Sequence, residues 1–480
     1  MRLYSLSPHF SRDFLNLIAY SVRKSNLTMR FILLIVFVTS TLFAAAQKKS
    51  AAPALDAEIA AMVKEISADS IKSHIQKMVT FGTRHSLSDT LSATTGIGAA
   101  RRWVASKFLQ FRKQSGANMT VDLDPLEVPG GRNARIPRRV IMKNVLGTLK
   151  GSDPNDDRVL LISGHLDSRA TDVMDSVIAA PGANDDASGV AVVIELARVM
   201  SKHKFPCTII FMAVQGEEQG LIGARHMAEK MKANKMNLIA MLNNDIVGNS
   251  TASETGDKND KTVRVFSEMV PSLETDDEKK AREALKAEND SPSRQLARYI
   301  KEVAEPYTKG FTATMNMRPD RFLRGGDHTP FLQNGFVAVR FTEFNENFSQ
   351  QHQTIRTENG KEYGDLLKHV DFAYAANVAR LNLATLASLA KAPGKPQAVK
   401  MKVNLDNMSY LTWEAPASGP KPRGYNILIR ETYQPFWEKK IFVADLKADL
   451  PYSKDNYYFA VQAVGEKDLT SQAVIPVPTR

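Results

Sequence analysis

Five short motifs hold residue types suited to metal chemistry. They are GHLDS around His165, PGANDDASG around Asp185, GEEQG with Glu217 and Glu218, NNDIVG with Asp245, and QQHQT with His352. Neutral imidazole and carboxylate are the ligands expected of zinc in hydrolases, and one carboxylate can bridge two ions. Two histidines, three carboxylates able to face metal and one spare glutamate suffice for a two-metal hydrolytic site. Taken singly each motif is weak, because a lone histidine is more often structural and a GEE triplet is usually solvated. Their joint presence reverses that reading.

The elements around these motifs explain how they could meet. Val159 to Ser163, Cys207 to Val214, Leu238 to Leu242 and Val337 to Thr342 read as apolar strands. Val190 to Met200 and Leu221 to Lys232 read as helices between them, and Leu366 to Leu389 as a long closing helix. Such alternation predicts an α/β fold with a mixed, mostly parallel sheet covered by helices on both faces. Strands apolar along their whole length are what a doubly covered sheet demands. His165, the Glu217–Glu218 pair and Asp245 each fall just after a strand, and open α/β sheets bind ligands at the carboxyl ends of their strands.

The order and spacing of the motifs resemble the co-catalytic zinc aminopeptidase family, the twenty-eighth family of metallopeptidases, from about Leu55 to Ala392. The resemblance implies a zinc exopeptidase fold, two Zn(2+) ions and peptide substrates. It places His165 and Asp245 on one ion and Glu218 and His352 on the other, with Asp185 shared and followed by a cis peptide. Glu217 is implied as general base, taking a proton from a water and passing it to the leaving amine. Asp167, in the HxD motif, is implied as the carboxylate that orients the His165 ring. Asp186 or Ser188 could instead serve as the cap of the following helix. Arg321, Arg324, Asp327 and His328 lie in another stretch like the family's, where His328 is expected behind the ligands or in the pocket wall. FGTRHSLSD, from Phe81 to Asp89, resembles the family's entry segment. The expectation is an aminopeptidase. A carboxypeptidase of the same fold, a one-zinc glutaminyl cyclase and a non-catalytic receptor are the alternatives; the last predicts lost ligands, and all five ligand positions are present.

Length and composition frame this reading. A chain of 480 residues holds two or three units, and an apolar share of 43% is globular. The formal charge of +11 falls to +7 without residues 1–46, and no block of Lys and Arg forms a stripe, which argues against nucleic-acid binding. The single cysteine, Cys207, sits in an apolar run and reads as core. Met29-Arg30, an apolar run of about 13 residues and Ala44 to Ala46 form a secretory signal peptide pattern, the run being short of the ~20 residues of a membrane span. Residues 1–28 read as an upstream start extension, and the expected location is periplasmic or secreted. Residues 47–392 are expected to form the peptidase domain, with 250–319 as an insertion or cap. KAPGKPQ then marks a boundary. Residues 393–480 carry short strands resembling a fibronectin type III sandwich, with Trp413 and Tyr457 or Tyr458 as core aromatics. A surface- or polymer-attachment role, or plain stabilisation, is expected of that unit.

Overall fold

The computed structural model describes residues 55–480 except 117 and 133, so the signal-peptide pattern lies outside the described residues. Three helices lead: α1 (Ala57–Glu65), α2 (Ala68–Val79) and α3 (Gly96–Gln114). Asp56 caps α1 by accepting the amides of Glu58 and Ile59, and Ser67 caps α2 through the amide of Ser70. The body continues as β1 (Met119–Val128), β2 (Val140–Leu149), β3 (Arg158–His165), α4 (Ala187–Met200), β4 (Thr208–Val214), α5 (Ile222–Ala233) and β5 (Asn237–Asn244). Then come β6 (Thr262–Phe266), α6 (Asp276–Leu285), α7 (Pro292–Tyr299), β7 (Thr312–Asn316), α8 (His328–Gln333), β8 (Ala338–Glu343), a small hairpin of β9 (Arg356–Glu358) and β10 (Lys361–Tyr363), and α9 (Phe372–Lys391).

Eight strands form one sheet in the order β1-β2-β4-β3-β5-β8-β6-β7. The central pairings of β3 with β4 and β5, and of β5 with β8, are parallel; β1–β2, β2–β4 and β6–β8 are antiparallel. Every residue of β3 is buried, as a central strand covered on both faces requires. One face packs on α1 to α4 and α9, the other on α5 and α8. α4 is buried almost all round, which fits its run of Val, Ile and Ala. Each fully buried aliphatic side chain in these layers contributes about 1.5–3 kcal/mol.

Two parts of the body were not read from sequence. The β1–β2 hairpin extends one side of the sheet. Residues 250–319 do not sit over the catalytic edge as a cap: β6 and β7 within them extend the other side of the sheet. Their helices α6 and α7 face the C-terminal unit instead. The closing helix begins at Phe372 rather than Leu366, because Asp371 caps it by accepting the amide of Tyr374.

The C-terminal unit is a β-sandwich. One sheet holds β15 (Lys447–Leu450), β12 (Ser409–Glu414), β11 (Gln397–Lys402) and β17 (Val477–Thr479), and the other β14 (Lys439–Val443), β13 (Gly424–Glu431) and β16 (Tyr457–Val464). Its core aromatic pair is Trp413 with Tyr425, edge to face at 5.4 Å, rather than Trp413 with Tyr457 or Tyr458. Tyr458 instead donates to the carbonyl of Lys286, just past α6. The expected linker is fixed in place: the buried Arg158 guanidinium pairs with Asp156 and donates to the carbonyls of Leu389, Ala390 and Ala392. Asp290 is buried between Arg298 of α7 and Arg430 of β13, at 2.8 and 2.6 Å.

Candidate metal centre

The register of the central strands brings the motifs together. His165 ends β3 level with Val214 at the end of β4, and Ser163 is level with Asn243 of β5. The Glu217–Glu218 turn and Asp245 therefore emerge at the same edge. Two groups of potential ligands result: His165, Asp185 and Asp245, and Asp185, Glu218 and His352. Asp185 belongs to both. Its Oδ1 lies 3.0 Å from His165 Nε2 and its Oδ2 2.9 Å from His352 Nε2. Glu218 Oε1 is 3.1 Å from His352 Nε2, and Asp245 Oδ1 is 3.8 Å from His165 Nε2. The Asp185–Asp186 peptide is cis.

The loop carrying Asp185 is held from several sides. Asp365 accepts the amides of Asn184 and Asp185, and Glu343 accepts the side-chain amide of Asn184 at 2.9 Å. Asp186 caps α4 through the amide of Gly189 and also accepts the amides of His165 and Ile246. The buried Arg84, in the entry segment, donates to the carbonyls of Leu166, Pro181 and Gly182. Backbone strain gathers at the same place. Leu221, Ile246, Leu323 and His352 all have positive φ and all line the cleft. Positive φ is unusual for such side chains and clusters at functional sites.

The electrostatics suit cations. Burial works against charge on His165, yet Glu217, Asp185 and Asp245 hold its pKa well above the ordinary range. Burial likewise opposes a charged His352, but Glu218 and Asp185 lift it to about 10. A pocket that would protonate both imidazoles has an excess of negative charge that divalent ions can offset. Asp185 Oδ1 and Glu218 Oε1 are buried without a hydrogen-bond donor, which leaves lone pairs free for coordination. The donor set of imidazole nitrogen and carboxylate oxygen fits zinc. Glu217 is raised well above the usual carboxylate range, first by burial and then by Asp245, Glu218 and Asp327, against the pull of His165.

Residues 144–384 match the model of peptidase family M28. A probable zinc metalloprotease of Leptosphaeria maculans is 46% identical over 428 residues, spanning 89% of this chain and 98% of that one. One from Pyrenophora tritici-repentis is 46% identical over 427 residues, covering 88% and 87%. The chain belongs to peptidase family M28. It is an M28 zinc metalloprotease. The crystal structure of Legionella pneumophila LapA aminopeptidase shares the fold, at a TM-score of 0.51 and 20% identity over 71% of this chain and 76% of that one.

Within this M28 site, one expected role is revised. The Asp167 carboxylate does not hold the His165 ring: His165 Nδ1 is 3.0 Å from the backbone carbonyl of Asp167 and 4.0 Å from its Oδ1. The carboxylate accepts the amides of Gly216, Glu217 and Glu218 instead, clamping the turn that carries the two glutamates. His328 is buried at the start of α8, with Nε2 on the Pro319 carbonyl at 2.9 Å, and does not line the cleft. Arg321 and Arg324 do line it. Sequence reading also passed over Arg340. Its Nη2 lies 2.7 Å from Asp245 Oδ1 and its Nη1 3.0 Å from Asp320 Oδ2, both as ion pairs. The available signal was one arginine inside the apolar strand FVAVRF.

Proposed function

We propose that this M28 zinc metalloprotease is an exported exopeptidase that removes N-terminal residues from peptides, using two zinc ions. The observation that carries the reading is the shared Asp185, which turns one oxygen to each ligand group. When bound, the ions supply electrophilic polarisation of a carbonyl and lower the pKa of a water. His165 and Asp245 would hold one, Glu218 and His352 the other. Glu217 lines the cleft beside both groups, and its raised pKa suits a group that takes a proton and gives it back. It would accept the proton of the attacking water and deliver it to the departing amine. The Asp167 clamp on the Glu217 amide keeps that carboxylate in register with the ligands.

The cleft holds about 410 Å³, and the choice of a chain end as substrate rests on the resemblance of the motifs to the zinc aminopeptidases and on the fold shared with the Legionella aminopeptidase. Export rests on the pattern at Met29 to Ala46. The seven-stranded sandwich suits a fibronectin type III assignment. Its many contacts with the peptidase body support a stabilising role over that of a free attachment arm.

One peptide in two forms, free and N-acetylated, tests the reading with zinc-loaded protein and mass spectrometry. Stepwise shortening of the free form alone, stopped by a chelator, is expected. Shortening of both forms from the C-terminus would replace the aminopeptidase with a carboxypeptidase.

A further inference from the structure

The cleft wall carries five arginines: Arg135, Arg169, Arg321, Arg324 and Arg340. Two are committed within the protein. Arg340 pairs with Asp245 and Asp320, and Arg321 with Asp320 and Glu346. The other three have no acidic partner among the described residues. Arg135 donates to the Glu218 carbonyl at 2.8 Å, and Arg169 to the carbonyls of Ala170 and Thr171. Arg324 Nη1 lies 3.2 Å from His352 Nδ1. A guanidinium has five N–H donors and no acceptor, so each of these keeps unused donors.

Arg324 is the most telling. It lines the cleft wall beside His352 and is exposed, with no carboxylate partner among the described residues. Charge points the same way. The lining carboxylates Asp185, Glu217, Glu218 and Asp245 gather around the two ligand groups, while Arg135, Arg169 and Arg324 pair with none of them. These three guanidinium groups leave unpaired positive charge around the mouth. They come from three separate segments, which explains why no basic stripe shows in the sequence.

We infer that the cleft selects peptides carrying a carboxylate within a residue or two of the scissile bond. That group is either the free C-terminus of a short peptide or an acidic side chain. The inference rests on the exopeptidase reading. Arginine is the residue best shaped for a carboxylate, which it can grip through two parallel hydrogen bonds.

The test uses the zinc-loaded chain and four dipeptides: Leu-Glu and Leu-Gln, each with a free or amidated C-terminus. The expected result is a kcat/KM advantage of about ten- to a hundredfold for a carboxylated form, the range a charge-assisted hydrogen bond supplies. It should appear mainly in KM and shrink as salt rises. Loss on amidation assigns the terminal carboxylate; loss on the Glu-to-Gln change assigns the side chain. Arg135→Gln, Arg169→Gln or Arg324→Gln should lower the ratio of acid to neutral form, and Arg324→Lys should restore part of it. Equal rates for all four dipeptides would overturn the inference while leaving the exopeptidase standing. If none is hydrolysed, that reading fails, and calorimetry of the same four with Glu217→Gln protein decides. Tighter binding of the acids supports the carboxylate site, and equal or absent binding overturns it.

Discussion

Arg340 and Asp245 form a buried ion pair, Nη2 to Oδ1 at 2.7 Å, between strand β8 and the residue that follows β5. Burial works against the charge on Asp245, and Arg340 is the largest force keeping it ionised. Only the ionised carboxylate can ligate. Arg340→Gln is therefore expected to weaken zinc at the His165–Asp185–Asp245 group by about 10–100-fold, the usual cost of losing a partner behind a ligand. The other group should change little. Competition titration with a chelator would show one shifted step out of two. Two equal shifts would mean that Arg340 acts on the whole fold.

Asp167 makes a sharper case, because its two halves do different things. The backbone carbonyl faces His165 and the carboxylate holds the 216–218 amides. In Asp167→Asn the remaining oxygen can still accept from Gly216 and Glu217, but an NH₂ now meets the Glu218 amide. The expected outcome is a kcat lower by about 10–100-fold and weaker metal at the Glu218–His352 group. Metal at the His165 group should hold. Weakening confined to the His165 group would restore the ring-orienting role.

Glu217→Gln keeps size and hydrogen-bonding capacity but cannot take a proton. Turnover should fall by about 10²–10⁴-fold, the usual share of general base catalysis, with the zinc content unchanged. Elemental analysis and rate measurement on one preparation would check both. Substantial remaining activity would sink the assigned base.

Much of this site was legible because its residues sit at strand ends. Apolar runs fix the strands and the strands fix the edge, so His165, the Glu217–Glu218 pair and Asp245 fall there by position, while the division of roles between the two glutamates came from the family resemblance. What sequence could not supply was everything made by distant segments meeting. Arg340 is 95 residues beyond Asp245, Asp365 is 180 beyond Asp185, and Arg84 reaches forward across 98 residues to Gly182. The role of Asp167 was misassigned because a motif names a residue, not which of its atoms faces which neighbour. The strands of 250–319 were hidden by the charged helix α6 between them, whose residues are all at least partly exposed.

A pH dependence of stability should arise far from the metals. His74, in α2, is buried beside Trp103, and burial lowers its pKa to about 4 against the partial pull of Glu195. Lys107 and Arg198 lower it further. Its Nε2 lies 3.3 Å from Ser70 Oγ, and its Nδ1 is buried without a partner, so a second proton has nowhere to bond. Between the unfolded pKa of about 6.5 and the folded value, the unfolded chain binds more protons, so stability falls as pH falls. The contribution is fully present above pH 6.5 and lost toward pH 4, about 3 kcal/mol over the window. Urea unfolding of the parent and of His74→Phe at pH 7 and pH 4.5 would isolate it as a difference. Parallel losses in both proteins would remove His74 from the account.

Asp290 ties the sandwich to the peptidase body. It is the counter-ion of both Arg298 and Arg430, all three are buried, and Arg298 also donates to the Pro435 carbonyl. Removing one member of a buried ionic set leaves uncompensated charge and costs about 3–5 kcal/mol. Asp290→Ala would strand two guanidinium groups at once, so its cost should fall at or above the top of that range. Both arginines lie over the Trp437 ring, 5.8 and 5.4 Å from its centre, so in a Trp103→Phe, Trp413→Phe background its fluorescence reports on this joint. If the sandwich is an integral part of the enzyme, the Trp437 signal and peptidase activity should be lost in a single transition, shifted to lower denaturant in Asp290→Ala. A separate, earlier Trp437 transition with activity retained would make the sandwich an independent module. The triple replacement Asp290→Leu, Arg298→Met and Arg430→Met should recover much of the lost stability, because apolar packing often substitutes for a buried ionic set. That recovery would show the joint to depend on satisfied burial rather than on charge itself.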